Sequence, residues 1–132
     1  KAPLFLCKEL GGALRDSSGC IVNIVDSTAM HGLAGFSPYA MAKAALANMT
    51  RSLAKELAPA VRVNGISPGI ILWPDYGELS DAEKAHAVQH TALQRMGDVA
   101  DITNTALFLI RDASYLTGQI IRVDGGAALA TP

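Results

Sequence analysis

Three residues near the middle of this 132-residue chain could exchange protons: Asp26, Tyr39 and Lys43. Tyr39 and Lys43 are four positions apart, and a helix places residues at that spacing on one face. An ammonium held beside a phenol favours the phenolate, which makes the phenol a usable proton donor near neutral pH. Asp26 follows a run of apolar residues and adds a second titratable group. The three residues together predict acid–base chemistry.

An alternation of strands and helices is expected to hold these residues in place. Continuous apolar runs predict strands at 20–25, 61–66 and 119–123. Apolar residues at helical spacing predict helices over 2–15, 38–58, 80–90 and 98–111. The alternation implies right-handed crossovers and a parallel sheet. Ligands bind beyond the carboxyl ends of the strands in such sheets, and both Asp26 and the Ser67-Pro68-Gly69 turn are expected there.

The helix over 38–58 carries the candidate tyrosine and lysine. Ser37 is a candidate cap, with Pro38 in the first turn. Apolar side chains form one stripe, at Leu46, Met49, Leu53 and Leu57. Small side chains form a second face that could admit another helix, at Ala40, Ala44 and Ala47.

Composition and charge narrow the function classes. Half of the residues are apolar and the net charge is −1, which argues against nucleic acid or an anionic membrane surface as the main partner. No apolar run approaches the roughly 20 residues of a membrane span. Cys7 and Cys20 fit no metal-ligand spacing and are expected to be buried thiols in a reducing compartment, which favours the cytoplasm. His86 and His90 are four positions apart without an evident third ligand, so we predict no metal site.

Four ordered sequence blocks resemble the C-terminal half of the short-chain dehydrogenase/reductase family. They are the apolar strand before Asp26, the Tyr-x-x-x-Lys pair, the segment 61–69 and the turn at 123–126. The resemblance spans nearly the whole chain. It implies an α/β fold, the C-terminal half of a doubly wound parallel-sheet Rossmann-type fold. Residues 1–132 would then be part of a single dinucleotide-binding and catalytic domain.

The family's glycine-rich phosphate fingerprint does not occur in this sequence. In the family it lies on the first strand–helix turn, in the N-terminal half. We therefore expect this chain to be the second half of a polypeptide of roughly 250 residues. The half alone is expected to be inactive, because the adenine side of the cofactor would have no site.

The resemblance assigns catalytic and cofactor-binding roles to several residues. Tyr39 would be the proton donor or acceptor opposite a hydride transfer, and Lys43 would bind the nicotinamide ribose. Pro68 and Gly69 match the loop that approaches the nicotinamide. Ile70 stands where many members have a threonine that contacts the cofactor amide, so main-chain groups would make that contact here. The resemblance favours NADPH as cofactor, with NADH left open.

Asp26 departs from the family pattern, which has serine at this position. The departure resembles the pteridine reductases, a subgroup with aspartate there, and neighbouring segments resemble that subgroup too, at 24–26, 68–74 and 115–126. A carboxyl group could pass a proton to a pterin ring nitrogen. The alternative is that Asp26 is a loop acceptor and Ser27 takes the serine's role. Trp73 is either a wall for a flat substrate ring or a loop anchor.

The resemblance therefore predicts an oxidoreductase that transfers hydride from NADPH to a pterin or dihydrofolate-type ring, with Asp26 and Tyr39 also contacting the substrate. A short-chain ketone reductase, such as a 3-oxoacyl-thioester reductase, is the first alternative. A non-catalytic nucleotide-binding scaffold is an alternative of another class. The resemblance also implies a homotetramer, formed through the helices at 2–15 and 38–58 and the C-terminal region near the last strand.

Overall fold

The computed structural model describes residues 1–26, 31–73 and 79–129. The elements in chain order are α1 (Ala2–Asp16), β1 (Cys20–Ile24), α2 (Ser37–Glu56), β2 (Arg62–Pro68), α3 (Asp81–Gln89), α4 (Val99–Arg111) and β3 (Ile120–Val123). A short 3-10 turn follows at Ala127–Leu129. Each predicted helix and strand is present, with bounds that differ from the prediction by at most two residues.

The strands form a parallel sheet in the order β1-β2-β3. Ile66 of the central strand is in register with Ile24 of β1 and with Ile121 of β3. The predicted parallel α/β architecture is confirmed. All three strands point the same way, so their carboxyl ends meet at one edge, where a ligand would bind.

Helices cover both faces of the sheet. On one face Leu53 of α2 and Leu57, which caps the helix, pack with Val63 of β2. On the other face Leu109 of α4 packs with Ile66, which is fully buried. Successive residues of a strand point to opposite faces, so β2 supplies both cores.

Strand β2 continues further than the sequence indicates. It runs through Pro68, because the main chain of Gly69 still bonds to β3, donating to Val123 O at 2.9 Å. At its other end the Arg62 guanidinium donates to the carbonyls of Leu109 at 2.7 Å and Ile110 at 3.0 Å. These carbonyls belong to the last turn of α4, so Arg62 fastens that helix to the sheet.

The start of α2 differs from the prediction that Ser37 caps it. Phe36 is the N-cap residue and Ser37 already lies inside the helix, with no side-chain cap hydrogen bond. The reason is that Phe36 O accepts from Ala40 N at 2.9 Å and so begins the first turn. Pro38 in that turn has no N–H to offer a capping side chain.

The alanine face of α2 is covered within the chain itself. Ala40 and Ala47 are 8% and 1% exposed. Small side chains at these positions let α2 lie close to the sheet, so the expectation that this face admits another helix is wrong for these two residues.

The two cysteines are less buried than the sequence predicts. Cys7 and Cys20 are free thiols and only partly buried, not fully as expected. Burial raises the pKa of the Cys7 thiol. Within the described residues, no helix is long and apolar enough to cross a membrane.

Candidate active site

The end of β1 and the first turn of α2 bring Asp26 and Tyr39 together. Pairing with β2 continues one residue past β1, because Val25 N donates to Ile66 O at 2.8 Å. This bond fixes the main chain next to Asp26. The Tyr39 phenol then donates to Asp26 Oδ2 with an oxygen–oxygen distance of 2.5 Å. Such a distance is typical of a hydroxyl donating to a carboxylate.

Lys43 lies one helical turn after Tyr39 and faces the same strand. Its Nζ donates to Ile24 O at 3.0 Å. It also lies 5.9 Å from the centre of the Tyr39 ring. The last carbonyl of β1 therefore holds the ammonium beside the phenol, as the four-residue spacing predicts.

A cavity of about 680 Å³ opens at the carboxyl edge of the sheet, next to Asp26. Its walls come from the carboxyl end of β2 and the segments that follow all three strands: Asp26, His31, Gly32, Leu33, Pro68, Gly69, Ile70, Asp124, Ala127 and Ala128. Among these are the predicted residues Asp26, Pro68, Gly69 and Ile70. Tyr39, which is 43% exposed, adjoins the cavity through its bond to Asp26.

The main chain around Gly69 is held on two sides. Its N–H donates to Val123 O, and Ile70 O accepts from Gly97 N at 2.8 Å. A side chain at position 69 would place its Cβ 2.6 Å from Asp124 Cα, so only glycine fits without a shift. Main-chain groups therefore line this wall of the cavity at a fixed position.

The residues present fit a nicotinamide riboside. Lys43 is a cationic donor that could bind ribose hydroxyls, and the side-chain-free surface at Gly69 admits a close approach by a flat ring. The cavity lies beyond the strand ends, where dinucleotides bind in open α/β sheets.

Tyr39, Lys43 and Trp73 are predicted site residues that do not themselves line the cavity. Trp73 is partly buried and is not among the described residues that line it. Ser27, the alternative to Asp26, lies outside the described residues.

Sequence reasoning missed the contribution of Asp124 and its neighbours to the cavity. The Asp124 carboxylate accepts from Gly126 N at 2.9 Å and Ala128 N at 3.2 Å, which orders the turn after β3. The signal was available, because the segment after a third parallel strand must lie at the same edge as Asp26 and Pro68. His31 and Leu33 follow β1, so the same argument places their segment at this edge.

An ion pair supports the segment that holds Ile70. Arg95 Nη1 lies 2.8 Å from Asp101 Oδ2. Arg95 precedes α4, and Asp101 lies in its first turn. The hydrogen bond from Arg95, followed by one from the main chain of Asp98, lowers the pKa of Asp101 from 3.8 to about 2. Gly97, whose N–H binds Ile70 O, lies between these charged partners in the sequence.

No group of three potential metal ligands occurs within 1–26, 31–73 and 79–129. His86 and His90 do lie together, with ring centres 4.2 Å apart. His90 Nδ1 is 2.8 Å from His86 O, so this ring is engaged with its own helix.

Comparison with known proteins identifies the family. A family model described as Enoyl-(Acyl carrier protein) reductase matches residues 1–128. The chain belongs to the short-chain dehydrogenase/reductase family. The family fold is also seen in a crystal structure of a putative short-chain alcohol dehydrogenase from Sinorhizobium meliloti, with a TM-score of 0.88 and 31% identity. That match covers 98% of this chain and 53% of the other.

Similar members of the family carry names from different substrate classes. The (2S)-[(R)-hydroxy(phenyl)methyl]succinyl-CoA dehydrogenase subunit BbsD of Thauera aromatica is 40% identical over 95% of this chain and 52% of its own length. Pteridine reductase 1 of Leishmania tarentolae is 37% identical over 97% of this chain and 47% of its own length. The 3-oxoacyl-[acyl-carrier-protein] reductase FabG of Staphylococcus epidermidis is 38% identical over 86% of this chain and 47% of its own length. The chain thus spans about half the length of these relatives.

Proposed function

We propose that the complete protein is an NADPH-dependent reductase whose substrate is a pterin or a dihydrofolate-type ring. The observation that carries the proposal is the hydrogen bond of 2.5 Å between the Tyr39 phenol and the Asp26 carboxylate. It places two proton-carrying groups in contact at the carboxyl edge of the sheet. A ring with several nitrogen atoms needs such groups, because its nitrogens must be protonated as hydride reaches the adjacent carbon.

Tyr39 and Asp26 would share the proton transfer. Tyr39 would donate its phenolic proton to the ring nitrogen beside the carbon that is reduced. The resulting phenolate is stabilised by the Lys43 ammonium, whose position is fixed by Ile24 O. Asp26, once protonated from solvent, would pass that proton to the phenolate; as a carboxylate it would instead hold the ring by accepting from one of its N–H groups. A serine hydroxyl could accept from a ring N–H but is a much weaker acid.

The cofactor would lie against Lys43 and the wall formed by Pro68, Gly69 and Ile70. When bound, it supplies the hydride. Lys43 would donate to the ribose hydroxyls, and the main-chain groups of Gly69 and Ile70 would face the nicotinamide. The preference for NADPH over NADH rests on the family resemblance.

A ketone reductase acting on a 3-oxoacyl thioester is the second candidate. The FabG relative, at 38% identity, favours it. The pteridine reductase relative, at 37%, is about equally similar. Overall similarity therefore leaves the substrate open, and the choice depends on the chemistry of Asp26.

Turnover by the full-length protein tests the proposal. NADPH consumption would be followed with dihydrobiopterin, dihydrofolate and an acetoacetyl thioester in parallel. We expect turnover of the pterins and little of the thioester. Turnover of the thioester alone would show that the protein is a ketone reductase in which Asp26 merely replaces the family's serine.

A homotetramer is also part of the proposal. Helix α1 exposes a row of large apolar side chains, with Leu4, Phe5, Leu6 and Leu10 each 51–60% exposed. A surface of this kind is typical of a protein–protein contact. Light scattering on the full-length protein would give the subunit number. A cytoplasmic location stays a prediction.

A further inference from the structure

A second cavity, of about 370 Å³, lies on the α2 side of the sheet and adjoins the candidate active site. Helix α2 contributes Ala47 and Arg51, strands β2 and β3 contribute Ser67, Ile120 and Arg122, and Val25 follows β1. Asp26 and His31 line both this cavity and the larger one at the strand ends. The two spaces therefore meet at a residue of the proposed chemistry.

Ser67 presents a buried hydroxyl that has no partner. The residue is fully buried, and its Oγ makes no hydrogen bond. The alternation of β2 explains the orientation. Ser67 is four positions after Val63, so both side chains point to the same side of the sheet, and Val63 faces α2. Buried hydroxyls are normally hydrogen-bonded, so this one calls for a ligand atom or a water.

Arg51 and Arg122 bring two guanidinium groups to the same cavity. Both are exposed, and neither makes a side-chain hydrogen bond or ion pair with the residues that the structure describes. Arg62 and Arg95 differ, since each is engaged by carbonyl groups or a carboxylate. With Asp26 included and His31 neutral, the cavity-lining charges are two positive and one negative, a net of +1.

We propose that this cavity is an anion-binding site that takes a phosphate or a carboxylate group. The anion's oxygens would accept hydrogen bonds from Ser67 Oγ and from the two guanidinium groups. Arginine suits this role, because its planar fork can bind such groups through two parallel hydrogen bonds. Asp26 does not prevent binding, because its carboxylate already accepts from Tyr39 and the arginines outweigh its charge.

The primary test measures anion binding by the full-length protein without turnover. Inorganic phosphate, and separately glutarate, would be titrated by calorimetry into wild type, Arg51→Gln and Arg122→Gln. We expect each substitution to weaken binding about tenfold or more, the usual effect of losing a charge-assisted hydrogen bond. Arg111→Gln is the matched control, because Arg111 is an exposed arginine of α4 outside the cavity.

Ser67→Ala gives an independent signature. Removing a hydroxyl that has no partner should leave the melting temperature of the anion-free protein unchanged or higher. The same substitution should reduce the rise in melting temperature that phosphate produces. A hydroxyl that only binds structural water would give no such loss of phosphate response.

A third measurement separates a free anion from a group carried by the substrate, and it alone rests on the proposed function. Dihydrofolate carries carboxylates on its glutamate, whereas dihydrobiopterin carries none. If Arg122→Gln raises KM for dihydrofolate only, the site holds the substrate's tail; if both KM values are unchanged while phosphate binding is lost, it holds a free anion. The proposal is overturned if wild type binds neither phosphate nor glutarate, or if binding survives both arginine substitutions. Neither result depends on pterin turnover, so failure here is distinct from failure of the proposed function.

Discussion

The Tyr39 phenol oxygen lies 2.5 Å from Asp26 Oδ2, although thirteen positions separate the two residues in the sequence. The contact joins the end of a strand to the first turn of the following helix. It joins a phenol donor directly to a carboxylate acceptor, which gives the two groups a path for proton transfer. Substitutions at single residues test the roles that this contact implies.

Replacing Tyr39 with phenylalanine removes the proposed proton donor and keeps the ring. We expect kcat of the full-length protein to fall by about 10² to 10⁴-fold, the usual contribution of a positioned acid. Tyr115→Phe is the matched control, because Tyr115 is fully exposed and distant in sequence from the site. Full activity in Tyr39→Phe would show that Tyr39 is not the proton donor and that another group supplies the proton.

Lys43→Met removes the ammonium that bonds to Ile24 O and is proposed to bind the nicotinamide ribose. We expect KM for NADPH to rise about tenfold or more, because a charged donor is lost. Reaction rates at saturating cofactor should also fall, because the phenolate of Tyr39 loses its nearby cation. Steady-state kinetics would be compared with Lys55→Met, an exposed lysine of the same helix. Equal KM and kcat values in the two variants would contradict a role for Lys43 in binding the cofactor.

Gly69→Ala should disturb the cavity wall, because the new Cβ would lie 2.6 Å from Asp124 Cα. Main-chain atoms cannot give way as a flexible side chain can, so we expect a loss of about 1–3 kcal/mol in the free energy of unfolding. Denaturant unfolding of the full-length protein would measure it. Gly12→Ala is the control, because its Cβ would meet nothing within 4 Å in helix α1. That change should stabilise the protein by about 0.5–1 kcal/mol.

Asp101→Asn should lower stability at neutral pH and have a diminishing effect in acid. The pKa of Asp101 is lowered from 3.8 to about 2 in the folded protein, so its stabilisation is present above 3.8 and is lost as pH falls toward about 2. Urea midpoints of wild type and variant should therefore converge over that range. In an Arg95→Gln background the Asp101→Asn effect should be smaller at neutral pH, and an undiminished effect would mean that the ion pair is not its source.

Much of the fold was predictable because its signals are local. Continuous apolar runs and helical periodicity located the three strands and four α-helices of the described residues, and the alternation of elements required a parallel sheet. The spacing of Tyr39 and Lys43 placed both on one helix face. The end of β2 was less predictable, since its last residues pair with β3, more than fifty positions later.

The remaining features depend on packing between distant segments. Ser67, Arg51 and Arg122 come from three different elements, so no sequence pattern joins them. The cap of α2 was mispredicted because a preceding main-chain carbonyl, that of Phe36, begins the turn where a serine side chain was expected to do so. Residues at a shared strand edge, such as Asp124, could have been included from topology alone.

The most direct test of the central claim is the Asp26→Ser variant of the full-length protein, assayed with dihydrobiopterin and with an acetoacetyl thioester. We expect kcat/KM for the pterin to fall about 10²-fold or more, because a carboxyl proton carrier is lost. Turnover of the thioester should stay the same or rise, since serine can hydrogen-bond a ketone oxygen. Equal losses with both substrates, or unchanged pterin turnover, would contradict a pterin-specific role for Asp26.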